Sequence, residues 1–253
     1  MSSPKVIILT GASRGIGLAA AHFLLKQNHN LVVVARSRGP LDNLKQQYGD
    51  QVQVLSGDLS DFSLGKSALD LATSTWNRLD GLILNHGVLD PVARVAQANP
   101  EEWRKCFDIN FFSFVASVQA CLPALRESKG RIVMCSSGAS TSAYSTWGAY
   151  GATKAAMNHL AATLATEEPD VTTVSMRPGV VDTDMQRAIR EDHSSIMDKH
   201  AAERFAGFHA EGKLLKPEQP GHVMAQLALE APKDISGVFL SWDDERLAAF
   251  QGK

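Results

Sequence analysis

Tyr150 and Lys154 stand four residues apart in an alanine-rich stretch, Ala149 to Leu164, that favours helix, so both side chains should project from one face. An ammonium held close to a phenol stabilises the phenolate and draws its pKa down from about 10 towards the working range of a general acid or base. Such a pair alone is common on surface helices. Ser137 adds to it, because it follows the β-branched run Arg131 to Ser136 at its carboxyl end, the edge where ligands bind in an open α/β sheet. Ser136 is the competing hydroxyl, and either one also suits a turn or a helix cap.

A second group of residues points to a nucleotide. The run Val6 to Thr10 leads into Gly11-Ala12-Ser13-Arg14-Gly15-Ile16-Gly17, and helix-favouring sequence follows from Leu18 to Leu25. Glycines allow a sharp turn and close backbone approach, while free N–H groups at a helix start favour a pyrophosphate. Three glycines are a weak pattern, but a turn after the first strand is where a dinucleotide crevice is expected. The second strand ends Val34-Ala35-Arg36-Ser37-Arg38, where an NAD site usually carries Asp or Glu for the ribose 2′-OH. A guanidinium is a planar fork matched to a 2′-phosphate, and Arg14 in the turn is near enough to help, so NADPH is the expected cofactor.

The elements that must position these groups recur along the chain. Strands are expected at Lys5 to Thr10, Leu31 to Arg36, Val52 to Leu55, Gly81 to Asn85, Arg131 to Ser136, Val171 to Arg177 and Gly237 to Trp242. Helices are expected at Gly15 to Gln27, Pro40 to Tyr48, Asp61 to Trp76, Pro100 to Leu125 and Ala149 to Glu168. Strands alternating with helices predict an α/β, doubly wound, seven-stranded parallel sheet with helices on both faces, and no linker divides residues 1–253 into separate domains. Asp182 to Lys216 breaks the rhythm and is expected to form a lid or a pair of surface helices.

Composition narrows the partners. The net charge of −2 lacks the concentrated positive field that nucleic acid or an acidic membrane demands. No apolar run is read as long enough to span a bilayer, and the start carries no signal-peptide pattern. Cys106, Cys121 and Cys135 form no CxxC pair and are expected to be reduced, buried thiols rather than a disulfide or metal framework. A cytosolic enzyme of small molecules is the expectation.

Together these residues resemble the short-chain dehydrogenase/reductase family over essentially the whole chain. The resemblance is carried by Thr10-Gly-x3-Gly-x-Gly17, Asp58, Asn85-His86-Gly87, Asn110, Ser137, Tyr150-x3-Lys154, and Pro178-Gly179 followed by Thr183. Ser137 lies thirteen residues before Tyr150, the family's usual separation, which selects it over Ser136. His86 departs from the family, which more often has alanine there. The resemblance implies a Rossmann fold in which NADP(H) supplies hydride, Tyr150 protonates the carbonyl oxygen, and Ser137 hydrogen-bonds to it. It implies that Lys154 tunes the tyrosine and grips the nicotinamide ribose, while Asn110 holds a water that refills the proton. The dinucleotide would lie against Gly11, Ser13, Arg14, Gly15, Ile16, Gly17, Arg36, Ser37, Asn85, Gly87, Pro178 and Gly179. Asp58 and Leu59 would take the adenine, and Val181 and Thr183 the carboxamide.

More narrowly, Ser145 to Gly151, Pro178 to Gln186 and Leu240 to Asp244 resemble carbonyl reductases related to benzil reductase and, more distantly, sepiapterin reductase. That implies reduction of a diketone or aryl ketone, with Tyr144, Trp147 and Met185 lining an apolar pocket. It also implies a homodimer or homotetramer, through the Tyr150 helix with its many alanines and the helix containing Asn110. The alternatives are an alcohol dehydrogenase working oxidatively with NAD(P) and a dinucleotide-sensing protein without turnover.

Overall fold

Val6–Thr10, the first strand, is buried at all five positions, as a strand covered on both faces must be. It is β1 of a computed structural model that describes residues 3–252, with Met1, Ser2 and Lys253 outside it. The other strands are β2 (Asn30–Ala35), β3 (Val52–Ser56), β4 (Gly81–Leu84), β5 (Arg131–Cys135), β6 (Thr172–Arg177) and β7 (Phe239–Ser241). All pair in parallel in one sheet ordered β3-β2-β1-β4-β5-β6-β7. The chain reverses its direction of winding between β1 and β4, so a crevice opens beyond their carboxyl ends.

Alternate side chains of β1 point to opposite faces and seed two cores. Ile7 and Leu9 join Leu24 of α1 (Gly15–Lys26) and Val223 and Leu227 of α9 (Glu218–Glu230). Val6 and Ile8 join Ala68 of α3 (Ser63–Trp76), Phe114 of α5 (Ser113–Ser128) and Met157 of α6 (Gly148–Glu167). The remaining helices are α2 (Arg38–Tyr48), α4 (Pro100–Phe107), α7 (Asp184–Glu191) and α8 (Lys199–Ala210).

The expected sheet is therefore present, with strand ends shifted by a residue or two, and two features differ. α9 has no counterpart in the sequence reading. Its opening Glu218-Gln219-Pro220-Gly221 looks like a turn, yet proline is tolerated in a first helical turn. Gly221 lets α9 close on α1, since a Cβ there would fall 3.0 Å from the Ile16 carbonyl oxygen.

The expected helix from Pro100 to Leu125 is α4 and α5 joined by a π-helical turn at Asp108–Phe112, and it runs on to Ser128. This 29-residue stretch is long and apolar enough by length and composition to cross a membrane, which corrects the reading that no run reaches that length. Here it is a core element, with Phe114, Val118, Cys121 and Leu125 buried. α3 lies so close to it that a Cβ at Gly65 would fall 2.7 Å from Ser117 Cα.

The segment from Asp182 to Lys216 takes the form of two helices, α7 and α8. It closes on itself where Leu215 N–H donates to the Val180 carbonyl at 2.9 Å and Asp182 N–H to the Leu215 carbonyl at 2.9 Å. All three cysteines are buried and form no disulfide, and burial pushes Cys106 up to about 11 and Cys121 up to about 12.

Candidate active site

Gly11 and Gly15 take φ of +67° and +53°, conformations that β1 needs to turn into α1 and that residues with a Cβ rarely adopt. A Cβ at Gly17 would fall 2.2 Å from the Gly11 carbonyl oxygen, so the turn folds flat against the start of α1. The Asn85 side-chain amide donates to that same oxygen at 3.2 Å, and its backbone N–H donates to Thr10 Oγ1 at 3.1 Å. The carboxyl ends of β1 and β4 are thereby tied across the switch point.

Beyond them lies a cleft of about 390 Å³. Of the expected dinucleotide residues, Gly11, Ser13, Arg14, Gly15, Ile16, Arg36, Ser37, Asp58, Leu59, Asn85, Gly87, Tyr150, Lys154, Pro178 and Thr183 line it. Three do not. Gly17 is buried beneath the turn, whereas Gly179 and Val181 face an adjoining cavity.

The basic residues differ in what they touch. Arg14 pairs with Asp184 of α7 at 2.8 Å, and Arg187 holds the other Asp184 oxygen at 2.7 Å. Arg38 pairs with Asp42 on its own helix and does not line the cleft. Arg36 lines the cleft, is exposed, and makes no ion pair among the described residues. Asp58 accepts the Ser60 N–H at 2.9 Å, which holds its carboxyl below the usual carboxylate range.

The chemistry-bearing residues meet where the cleft joins the cavity. Tyr150 and Lys154 are both buried on α6, at 8% and 3% exposure. Lys154 Nζ donates to the Cys135 carbonyl at the end of β5 at 2.7 Å and lies 5.6 Å from the Tyr150 ring centre. The phenol is pushed well above its ordinary value by burial, against a hydrogen bond with Ser137 that pulls the other way. Burial likewise pushes Lys154 down. In this arrangement desolvation, rather than a neighbouring ammonium, governs the phenol, which differs from the depressed value expected from spacing.

The two serines separate by their partners. Ser136 is buried and its hydroxyl donates to Asn158 Oδ1 at 2.7 Å, an oxygen that also accepts from Ser175 at 2.6 Å. Ser137 turns towards Tyr150, and its Oγ accepts the Ala139 N–H at 3.1 Å. Asn110 is fully buried in the π turn, where its side chain clamps the strand-like segment after β4. It accepts the Val88 N–H at 2.8 Å and donates to the Val88 carbonyl at 2.8 Å.

The adjoining cavity, about 210 Å³, is lined by Tyr150 and Ser137 together with Tyr144, Trp147 and Met185, the three expected pocket residues. Trp147 stacks on Phe205 of α8 at 5.3 Å and meets Tyr150 edge-on at 6.1 Å. Just ahead of α6, Thr146 takes φ +72°, and its hydroxyl and the Trp147 indole N–H are buried without a partner among the described residues. Sequence reasoning did not single out Phe205, Arg204, Arg177, Gln186 or Leu89, which also line this cavity. Arg177 immediately precedes Pro178-Gly179, a position that could have drawn attention to it. Phe205 and Arg204 lie in the two-helix segment, where spacing has no chemical code.

Comparison with known proteins agrees with this geometry. Residues 5–194 match the short chain dehydrogenase family. The chain is 42% identical over 250 residues to an uncharacterised oxidoreductase of Saccharomyces cerevisiae, covering 97% of this chain and 98% of that one. It is 41% identical over 261 residues to benzil reductase ((S)-benzoin forming) of the same yeast, covering 98% and 99%. A crystal structure of a S. cerevisiae short-chain dehydrogenase/reductase superposes with a TM-score of 0.96 at 41% identity, covering 98% of this chain and 100% of that one. The crystal structure of the KRED1-Pglu enzyme gives 0.91 at 38% identity, covering 93% and 99%. Sequence motifs, sheet order and these likenesses lead to one conclusion: the chain belongs to the short-chain dehydrogenase/reductase family of oxidoreductases.

Proposed function

We propose that this protein is an NADPH-dependent carbonyl reductase acting on an aryl ketone or small dicarbonyl, with Tyr150 as the general acid. The observation that carries the reading is a buried phenol, hydrogen-bonded to Ser137, where the cleft beyond the glycine turn meets an aromatic-lined cavity. The cleft suits a dinucleotide, because a Cβ at Gly17 would fill the fold of the glycine turn and the N-terminus of α1 opens towards an anion. Bound there, the nicotinamide supplies hydride to the carbonyl carbon. The chain's own residues do the rest. Tyr150 donates its proton to the carbonyl oxygen, and the Ser137 hydroxyl stabilises the charge that develops there. Lys154, already anchored on the Cys135 carbonyl, lines the cleft and would hold the nicotinamide ribose there. Benzil reductase activity in a relative 41% identical over its full length supports a dicarbonyl substrate. The test is NADPH oxidation over a panel of diketones, aryl ketones, quinones and pterins, and silence across the panel overturns the reading.

Arg36 is the proposed 2′-phosphate ligand, since Arg38 is committed to Asp42 and Arg14 to Asp184. Arg36→Asp is expected to lower the preference for NADPH over NADH by about ten- to hundredfold, the range of one charge-assisted hydrogen-bonded pair. The ratio of the two kcat/KM values measures it.

We also infer a homo-oligomer built on α5 and α6. Phe112 of the π turn and Val115 of α5 are exposed large apolar residues, and Ala155 of α6 is exposed as well. Some of the α6 alanines serve the chain itself, since a Cβ at Gly237 would fall 2.8 Å from Ala165 Cβ. Sedimentation is expected to show a species of at least twice 27.3 kDa, and Val115→Glu to shift it towards that mass.

A further inference from the structure

We propose, resting on the reductase reading, that the cavity beside Tyr150 takes a one-ring aryl ketone with a carboxylate next to the carbonyl, and that Arg177 holds this carboxylate. Size gives the first limit. About 210 Å³ lies below the roughly 300–1,000 Å³ of pockets for drug-sized ligands, so one ring with a short polar arm fits better than two rings.

Charge gives the second. The ionisable side chains along the cavity, besides the Tyr144 and Tyr150 phenols, are Arg177 and Arg204, and no carboxylate lines it. Asp184, which lines the adjoining cleft, is already held by Arg14 and Arg187. Arg204 is engaged as well, with Nη1 3.5 Å from Tyr144 Oη and its guanidinium 5.7 Å from the Phe208 ring centre.

Arg177 is different. Its side chain makes no hydrogen bond or ion pair among the described residues, and it stands at the carboxyl end of β6. A Cβ at Gly138 would lie 3.7 Å from Arg177 Nη1, which puts the guanidinium beside the residue that follows Ser137. A positive fork next to the hydroxyl that receives the ketone oxygen matches an anion on the adjacent carbon rather than one at the far end of the molecule.

The reaction balances as a two-electron reduction. The ketone carbon gains hydride from the dihydronicotinamide, which is oxidised. The oxygen gains the Tyr150 proton, the carbonyl π bond breaks, and a hydroxy acid leaves.

The experiment compares benzoylformate, its methyl ester and benzil with NADPH, in wild type, Arg177→Gln and Arg177→Lys. Wild type is expected to favour the acid over its ester by about tenfold or more in kcat/KM, chiefly through KM, as one charge-assisted pair implies. Arg177→Gln abolishes that ratio, and Arg177→Lys restores part of it. The ratio is internal to each variant, so a general loss of folding or cofactor affinity does not alter it. An ester used as well as the acid, or an acid preference that survives Arg177→Gln, overturns the inference while leaving the reductase reading intact. Failure of all three compounds in wild type overturns the inference, and silence across the wider panel of ketones overturns both.

Discussion

Tyr150→Phe is expected to lower the rate of ketone reduction by about 10²–10⁴-fold, the usual contribution of a positioned general acid. Phenylalanine keeps the ring that packs edge-on against Trp147 and removes only the hydroxyl that meets Ser137, so folding and NADPH affinity should hardly change. Single-turnover rates with cofactor binding measured in parallel separate these effects. The pH dependence follows from the same burial. Because desolvation holds the phenol above its ordinary value, Tyr150 stays protonated through neutral pH, and the proton needed for reduction is present there. Reduction should therefore stay level through neutral pH and decline only as alkaline pH approaches the phenol's raised value. Oxidation of the alcohol needs the phenolate and should rise over the same alkaline range. A reduction rate already falling between about pH 7 and 8 would assign the phenol a depressed value instead.

The sign of that shift marks the boundary of what residue spacing conveys. A four-residue interval places Tyr150 and Lys154 on one face of α6, and they are there. It does not tell where the ammonium's protons go, and the nearest acceptor is the Cys135 carbonyl, supplied by another strand. The same limit separates Ser136 from Ser137. Both stand at the end of β5, and only the buried network of Asn158, Ser140 and Ser175 shows why the first is structural. The sheet was legible because β-branched runs buried on both faces leave a strong periodic signal, as Leu31 to Val34 do. α9 was not, because Pro220 and Gly221 at its start imitate a turn while its real determinant is contact with α1. The π turn at Asp108–Phe112 was invisible for a similar reason, since Asn110 looks like a polar fault in a helix until the Val88 backbone is seen against it.

His86 is where the chain departs from its family's usual alanine, and the structure gives that departure a physical role. Its ring is buried beneath the glycine turn, packed 4.7 Å from Phe114. Nε2 lies 3.1 Å from the Ile109 carbonyl, which can only accept, so this nitrogen carries the proton. Nδ1, 2.8 Å from Thr10 Oγ1, then shares that hydroxyl's hydrogen with the Ile83 carbonyl at 3.2 Å. One neutral imidazole thus links the end of β1, the segment after β4 and the π turn that carries Asn110. Burial and the nearby Lys154 push its pKa from 6.5 to about 3.

His86→Ala is expected to cost about 2–4 kcal/mol at neutral pH, from a cavity and stranded polar partners, or a fall in Tm of about 5–15 °C. It should also raise the KM for NADPH, because Thr10 and Asn85 frame the turn that the dinucleotide approaches. The pH dependence distinguishes this imidazole from a mere space-filler. Since its folded pKa is depressed, the unfolded chain takes up a proton at this site first, and wild type loses stability as pH falls from 6.5 towards 3. The loss approaches about 1.4 kcal/mol per pH unit in that window, and the alanine variant lacks it. Denaturation curves of the two proteins should therefore lie far apart at pH 7 and draw together as acid is added. A gap that stays constant down to about pH 4 would mean that burial does not hold His86 neutral in the folded chain.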